Sequence, residues 1–283
     1  MKRFFWRVLC FACATSLPIL GDAATVFNFP NFSNCSTLQL NVNAACTASV
    51  LRVTPALVGQ AGSAFYKTLV PLGTGASFST FFTFQITASG GISDSDGPGA
   101  DGLTFTVQPI SSTAGGGGGG IGYSGIPTSL AIEFDTYDNG VGAGDPNGNH
   151  VGVDLNGSVN SVITALIPTR MNNGAVWYAW IDYNGTTIEL RLSQTSVRPG
   201  PPTLSYAVNL ASVLGTSQAY VGFTSGTGAA WGNHDILTWQ FDNTFAPIGV
   251  PGPVPVLSDV ALVSLALLLA ALGGFMTWKR RPR

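Results

Sequence analysis

Between Thr25 and about Phe245 apolar and polar residues alternate in short runs, and almost no stretch carries the period of an amphipathic helix. That pattern commits the chain to strands, because only an extended backbone sends successive side chains to opposite faces. Residues 77–86, 103–107, 130–134, 151–155, 177–183, 188–192, 219–223 and 237–241 read as strands, punctuated by Gly, Pro, Asn and Ser clusters. Asn184-Gly185 marks a hairpin, and residues 210–214 have room for one helical turn. Six consecutive glycines at 115–120 form a loop, read either as a plain connector or as a functional one. Residues 24–246 contain no linker-like break and form one all-β domain, a large β-sandwich.

The two ends differ from this body. Residues 1–23 open with Lys2, Arg3 and Arg7, continue through an apolar stretch and finish at Gly21-Asp22-Ala23. Small residues fall where a signal peptidase reads, so the segment is expected to be a secretory signal peptide. At the other end a Pro-rich linker, 247–259, leads to 260–278, nineteen uncharged and mostly apolar residues followed by the basic tail 279–283. As a helix that run would be about 28 Å long, close to the ~30 Å hydrocarbon core of a bilayer. A transmembrane helix is therefore expected, with the basic tail in the cytoplasm and the body exported. Val254-Pro-Val-Leu-Ser-Asp259, the span and the arginines together resemble the bacterial C-terminal sorting signals of the IPTL-CTERM type, relatives of the PEP-CTERM signals. That resemblance implies a membrane sorting and processing enzyme as partner, which can cleave the anchor, and a location at the cell surface or outside the cell.

Charge is scarce and unevenly placed. Only 9% of residues are charged, against about 25% in ordinary domains. With the two ends set aside, five basic residues face twelve acidic ones, a net −7, and eight of the twelve acids lie between Asp94 and Asp154. High hydrophobicity with low charge excludes a disordered chain, and the lack of an internal Lys/Arg block excludes nucleic acid as a partner. Cys10 and Cys13 fall within 1–23, which leaves Cys35 and Cys46 in the exported body. A structural disulfide between them is expected, two buried free thiols being the alternative.

The densest chemistry runs from Glu133 to Asp154. Glu133 and Asp135 stand two apart at a strand end and so share a face. A Gly-rich loop then carries Asn139 and Asp145 before His150 opens the next strand. Carboxylates gathered on one side repel one another unless a cation neutralises them. Oxygen donors from Asp135, Asn139, Asp145 and a backbone carbonyl suit Ca²⁺. Glu133 and His150, with the shared aspartates, suit a transition ion such as Mn²⁺. The plain alternative is a solvated acidic turn, against which stand Glu133 inside an apolar strand and His150 beside Val151.

Glu133-Phe-Asp135-Thr-Tyr137, Asn139, Asp145-Pro146 and His150-Val-Gly-Val-Asp154 resemble the metal-binding loop of L-type (legume-type) lectin domains. Other motifs follow in that family's order: residues 77–86, Ala100-Asp101-Gly102, Trp180-Ile-Asp-Tyr-Asn184, Val221-Gly-Phe-Thr-Ser225 and Trp239-Gln-Phe241. The similarity spans nearly the whole body and implies a concanavalin-like jelly roll that binds glycans. It implies that Glu133, Asp135, Asp145 and His150 hold the transition ion, and that Asp135, the Tyr137 carbonyl, Asn139 and Asp145 hold Ca²⁺. Asp101 and Asn139 would reach the sugar, and the Ala100–Asp101 peptide would be cis. A backbone N–H within 115–125, with Gly120 as candidate, would be a third contact, and Trp231 in the loop 226–233 a fourth. Residues 140–144 supply no aromatic platform. A homodimer through the back sheet stays open.

Two other function classes fit parts of the pattern. A laminarinase-type glycoside hydrolase on the same sandwich would use Glu133, Asp135 and Asp138, but it ends the motif in a shorter carboxylate and gives Asp145, His150 and Asp101 no task. A structural surface protein without ligand is the third reading. Neither His150 nor His234 falls in a Ser-His-Asp grouping, and the expectation is a binding protein rather than an enzyme.

Overall fold

A computed structural model describes residues 25–249 apart from 116, 117 and 143. The expected signal peptide, nearly all of the Pro-rich linker, the span 260–278 and the tail 279–283 lie outside the described residues. Among the described residues no helix is long and apolar enough to cross a membrane.

In chain order the strands begin with β1 (Thr25–Phe29), β2 (Leu38–Val42), β3 (Ala45–Thr47), β4 (Val50–Thr54), β5 (Ala61–Tyr66) and β6 (Val70–Pro71). They continue with β7 (Phe78–Gly91), β8 (Ser93–Asp94), β9 (Gly97–Pro98), β10 (Gly102–Gln108), β11 (Leu130–Asp135) and β12 (His150–Leu155). The series closes with β13 (Ile163–Leu166), β14 (Val176–Tyr183), β15 (Thr187–Ser193), β16 (Leu204–Ala207), β17 (Gln218–Gly226) and β18 (Ala230–Asp242). One short helix, α1 (Leu210–Leu214), precedes β17. The back sheet runs β16-β15-β14-β7-β18-β4-β3 with β1 also on β18, and the front sheet runs β13-β12-β11-β10-β17-β5-β2 with β6 also on β17. β8 and β9 form a separate two-stranded hairpin.

Alternation explains how the sheets stack. Phe82 and Phe84 of β7, Phe105 of β10, Phe134 of β11, Phe223 of β17 and Trp239 of β18 all enter one buried core. Phe82 meets Phe134 and Phe223 edge-on, with centroids 5.8 and 4.9 Å apart, the geometry that the ring quadrupole favours. The Cys35–Cys46 disulfide is formed. It joins the approach to the front-sheet edge strand β2 to the back-sheet edge strand β3.

Local signals act as expected at two turns. In the β14–β15 hairpin, Asn184 Oδ1 accepts from the N–H groups of Thr186 and Thr187, and Gly185 takes φ 100°. Helix α1 is capped by the Asn209 side chain on Ser212 N–H and ends at Gly215, φ 67°. The central strands run further than their periodicity indicated. β7 continues to Gly91, and β18 begins at Ala230, so the last residues of the expected loop 226–233 are strand. Gly90, Gly91 and a register shift between Trp231 and Asn233 interrupt the alternation while the pairing continues. On the outer face of the back sheet Trp180 is buried beside Phe81. Arg198, from the segment after β15, is bound to Asp182 on that face.

Replacing Phe82 by Ala should cost about 3–5 kcal/mol of unfolding free energy in a urea titration, whereas Val197→Ala, at a side chain 74% exposed, should stay within ~0.5 kcal/mol. Equal costs would mean that the inter-sheet aromatic cluster is not the packed centre.

Candidate functional site

Strands β11 and β12 pair so that Asp135 lies opposite His150 and Glu133 opposite Gly152. Leu130, Ile132 and Phe134 enter the core, which leaves Glu133 and Asp135 together on the other face, each only 2% exposed. One ligating atom from each of Glu133, Asp135 and His150 falls within 4.8 Å of the others. His150 Nδ1 lies 2.9 Å from the Asn147 carbonyl oxygen. A carbonyl can only accept, so Nδ1 carries the hydrogen. In the neutral ring this turns the lone pair of Nε2 toward Glu133 Oε1, 3.3 Å away. Two acceptors face each other there, an arrangement that needs a cation or a proton between them.

Ser161 tightens the same cluster. Its hydroxyl oxygen is 2.6 Å from both Glu133 Oε1 and Asp154 Oδ1, yet it has one proton to give. It reaches this position only because residue 152 is glycine, where a Cβ would stand 2.0 Å from Ser161 Oγ and 2.4 Å from Glu133 Oε1. Asp154 Oδ2 is buried with no partner. Burial, then the charges of Glu133 and Asp145, pushes the Asp135 carboxyl well above the usual carboxylate range. Burial and Glu133 do the same to Asp154, and burial raises Asp145. Burial alone would depress His150, but the hydrogen bond and charge of Glu133 outweigh it and raise the ring's pKa. This dry, acceptor-rich donor set of carboxylates and one imidazole fits divalent ions.

Loop atoms extend the cluster toward the surface. Asp135 Oδ1 accepts from Tyr137 N–H at 2.8 Å, and Asp145 Oδ2 accepts from Asn139 N–H at 2.7 Å. Asp101 is pinned alongside: its N–H donates to the Gly226 carbonyl and its carbonyl accepts from Thr136 N–H. The Ala100–Asp101 peptide is cis. Asp101 Oδ2 is buried without a partner, and burial followed by the charge of Asp145 raises its carboxyl to about 7. Gly228 lies over that carboxylate, a Cβ there standing 3.7 Å from Oδ2.

Of the other expected residues, Gly119 rather than Gly120 approaches the Asn139 amide, a Cβ there lying 3.4 Å from Oδ1 and 3.6 Å from Nδ2. Gly120 faces Ser124 and its carbonyl accepts from Tyr123 and Ser124 N–H. The indole of Trp231 packs on Gly90 and Gly91 of β7. Asp138 lies beyond the end of β11, where its Oδ1 accepts from Gly140 N–H. Ser161 carried no sequence signal. Asp154 closed the Val-Gly-Val-Asp run without an assigned role, and Gly228 lay unmarked within 226–233.

A polar chain crosses the core beneath Asp101. Ser225 donates its hydroxyl proton to the Gly102 carbonyl at 2.7 Å. Its oxygen, 2.8 Å from Thr54 Oγ1, must therefore accept from Thr54. Thr54 in turn must accept from His234 Nδ1, also at 2.8 Å. The ring is the Nδ1–H tautomer, its Nε2 has no partner, and burial lowers its pKa to about 3, so it stays neutral.

Comparison with known proteins finds relatives of the whole sandwich. The Legume lectin domain model matches residues 24–249. Favin of Vicia faba is 31% identical over 78% of this chain and 96% of its own length. The L-type lectin-domain containing receptor kinase VIII.1 of Arabidopsis thaliana is 31% identical over 82% of this chain, which spans only 31% of that protein. Among solved structures, winged bean acidic lectin complexed with methyl-α-D-galactose superposes with TM-score 0.64 at 31% identity, covering 76% of this chain and 96% of that one. The lectin of Bauhinia forficata in complex with GalNAc gives TM-score 0.65 at 25% identity, with the same coverage.

Carboxyls whose pKa is raised by the fold stabilise it only while protonated: the contribution is complete below about pH 4 and lost as pH rises through about 7 for Asp101. His234, whose lowered pKa makes the fold lose stability as pH falls below about 6.5, acts in the opposite sense. The carboxyl contribution is therefore read as a difference by calorimetry: on going from pH 5 to pH 7 the EDTA-stripped protein should lose unfolding temperature relative to stripped Asp101→Asn, with recovery at pH 7 on adding Ca²⁺ and Mn²⁺. The same pH dependence in the stripped protein and in stripped Asp101→Asn would mean that the Asp101 carboxyl is not strained by burial.

Proposed function

Because the chain belongs to the legume lectin domain family, we propose that it binds glycans at a site organised by Ca²⁺ and a transition ion, and that it does so without catalysis. The observation that carries this reading is the set of buried acceptors that lack donors: His150 Nε2 against Glu133, Asp154 Oδ2 and Asp101 Oδ2. An isolated buried carboxylate is costly unless a cation or hydrogen-bond donors meet it. Cations would meet the first group, and sugar hydroxyls the last.

Glu133, Asp135, Asp145 and His150 would hold the transition ion, and Asp135, the Tyr137 carbonyl, Asn139 and Asp145 would hold Ca²⁺. The ions supply positive charge where four carboxylates converge. The chain's own groups then do the recognising. Asp101 accepts hydrogen bonds from two adjacent hydroxyls of a hexose, and the Asn139 amide donates to one of them. Gly119, which stands beside that amide, is the residue whose N–H we assign as the third contact. Gly228 has no side chain to obstruct the Asp101 carboxylate.

The relatives solved with galactose-type sugars make such pyranoses the first ligands to try. The body 24–246 would act outside the membrane, exported by 1–23 and held by 260–278 until a processing enzyme removes the tail. The sequence pattern of the two ends supports that part of the reading.

On a glycan array the metal-loaded protein should bind at least one glycan, lose it in EDTA and regain it with Ca²⁺ and Mn²⁺. Asp101→Ala or Asn139→Ala should weaken binding about 10- to 100-fold and leave the circular dichroism spectrum unchanged. Failure of the loaded protein to bind any glycan would support a structural role, and release of reducing sugar from a β-glucan would point to hydrolysis.

A further inference from the structure

Seven residues before Asp101, the β8–β9 hairpin sets Asp94 against the loop that joins β11 to β12. Asp94 Oδ2 accepts from the backbone N–H of Asp138 at 2.8 Å, while Oδ1 accepts from Asp96 and Gly97 N–H at 2.9 and 3.1 Å. One carboxylate thus closes its own hairpin with one oxygen and grips the neighbouring loop with the other. Gly148, on the returning arm of that loop, makes room for it. A Cβ there would lie 2.0 Å from Asp94 Oδ2 and 3.1 Å from Asp138 N. The carboxylate is therefore wedged between the arm that leads to Asn139 and the arm that leads to His150. The far side of the hairpin is held by Arg170, which donates to the Pro98 carbonyl at 2.9 Å.

The loop gripped in this way is poorly suited to hold a shape alone. Gly140, Gly142 and Gly144 fall between Asn139 and Asp145, and glycine loses more backbone freedom on ordering than any other residue. Ordering that loop when an ion arrives subtracts from the affinity, and ordering it beforehand restores it. Placing a carboxylate next to an already acidic loop also costs repulsion, which a neutral acceptor would avoid. The charge is tolerable where divalent cations sit close by.

We propose that Asp94 is a positioning residue that pre-forms the ion-binding loop, and that the hairpin carrying it ties that loop to the segment bearing Asp101. Asp94 touches neither ion nor sugar. The inference rests on the metal-organised reading above. Its consequence is that ion affinity and the placement of Asp101 share one short stretch of chain, from residue 94 to residue 101.

The test is a calorimetric titration of Ca²⁺, with Mn²⁺ present, into the EDTA-stripped full chain, together with the unfolding temperature of the stripped protein. Asp94→Ala should weaken Ca²⁺ binding about 10- to 100-fold, the usual effect of losing a group that orients ion ligands, with at most a small fall in the stripped protein's unfolding temperature from the three hydrogen bonds it loses. Asp94→Asn, whose single carbonyl oxygen can meet Asp138 N–H or the N–H groups of Asp96 and Gly97 but not both, should restore only part of the affinity. Gly148→Ala, which displaces the carboxylate, should reproduce the loss. A lowered unfolding temperature with unchanged Ca²⁺ affinity would overturn the proposal and make Asp94 an ordinary hairpin residue. No Ca²⁺ uptake by the unaltered protein would overturn the metal-organised reading as well.

Discussion

Burial of like charges at one end of the sandwich is the constraint to which the rest of the molecule answers. Glu133, Asp135, Asp145 and Asp154 are all nearly inaccessible to water, and each would prefer to be hydrated or paired. The strands that carry them must be held firmly enough to impose this proximity. That requirement accounts for β11 being buried on both faces, with aliphatic and aromatic residues on one and carboxylates on the other. It also accounts for Gly152, the one residue type that lets Ser161 and Glu133 meet across β12.

The opposing force comes from the aromatic layer between the sheets. Phe82, Phe105, Phe134, Phe223 and Trp239 interlock at the middle of the core, each burying on the order of 150–250 Å². Phe134 belongs to the same strand as Glu133 and Asp135, so its insertion into that layer fixes the height at which both carboxylates emerge. The long pair β7 and β18 gives the layer a continuous floor, from Ser79 opposite Asp242 to Gly91 opposite Ala230.

How much of this was legible in the sequence depended on the range of the interaction. Strict alternation exposed β10, β11, β12, β14, β15, β17 and the middles of β7 and β18, because core-facing apolar residues alternate there with a different set on the other face, whether or not that face is buried as well. Strands β1 to β6, β8, β9, β13 and β16 escaped notice: they are short and several lie at sheet edges, where the apolar period is diluted. The pairing of Asp135 with His150 could be anticipated from local spacing across one loop. The part played by Ser161 could not, since it meets Glu133 from a different segment and a serine in a loop announces nothing. Gly119 and Gly120 are indistinguishable as letters in a run of six. Only the turn that directs Gly120 toward Ser124 separates them. Asp94 was visible as charge but not as a wedge, because its partners are backbone N–H groups.

The chain from His234 to Gly102 has a property that none of its members has alone. Each hydroxyl carries a single proton, so the direction of every bond is dictated by the carbonyl at the end. The sequence of donors is a ratchet with one allowed setting. Because His234 and Thr54 belong to the back sheet and Ser225 and Gly102 to the front, that setting is shared between layers whose core contacts are mostly non-directional. Apolar packing fixes how closely the sheets approach but carries no donor–acceptor direction, whereas an ordered row of protons resists any slide that lengthens one bond. The carbonyl beside Asp101 is thus indexed to the opposite wall of the sandwich, and the sheets keep a common zero at the end where the acidic cluster lies.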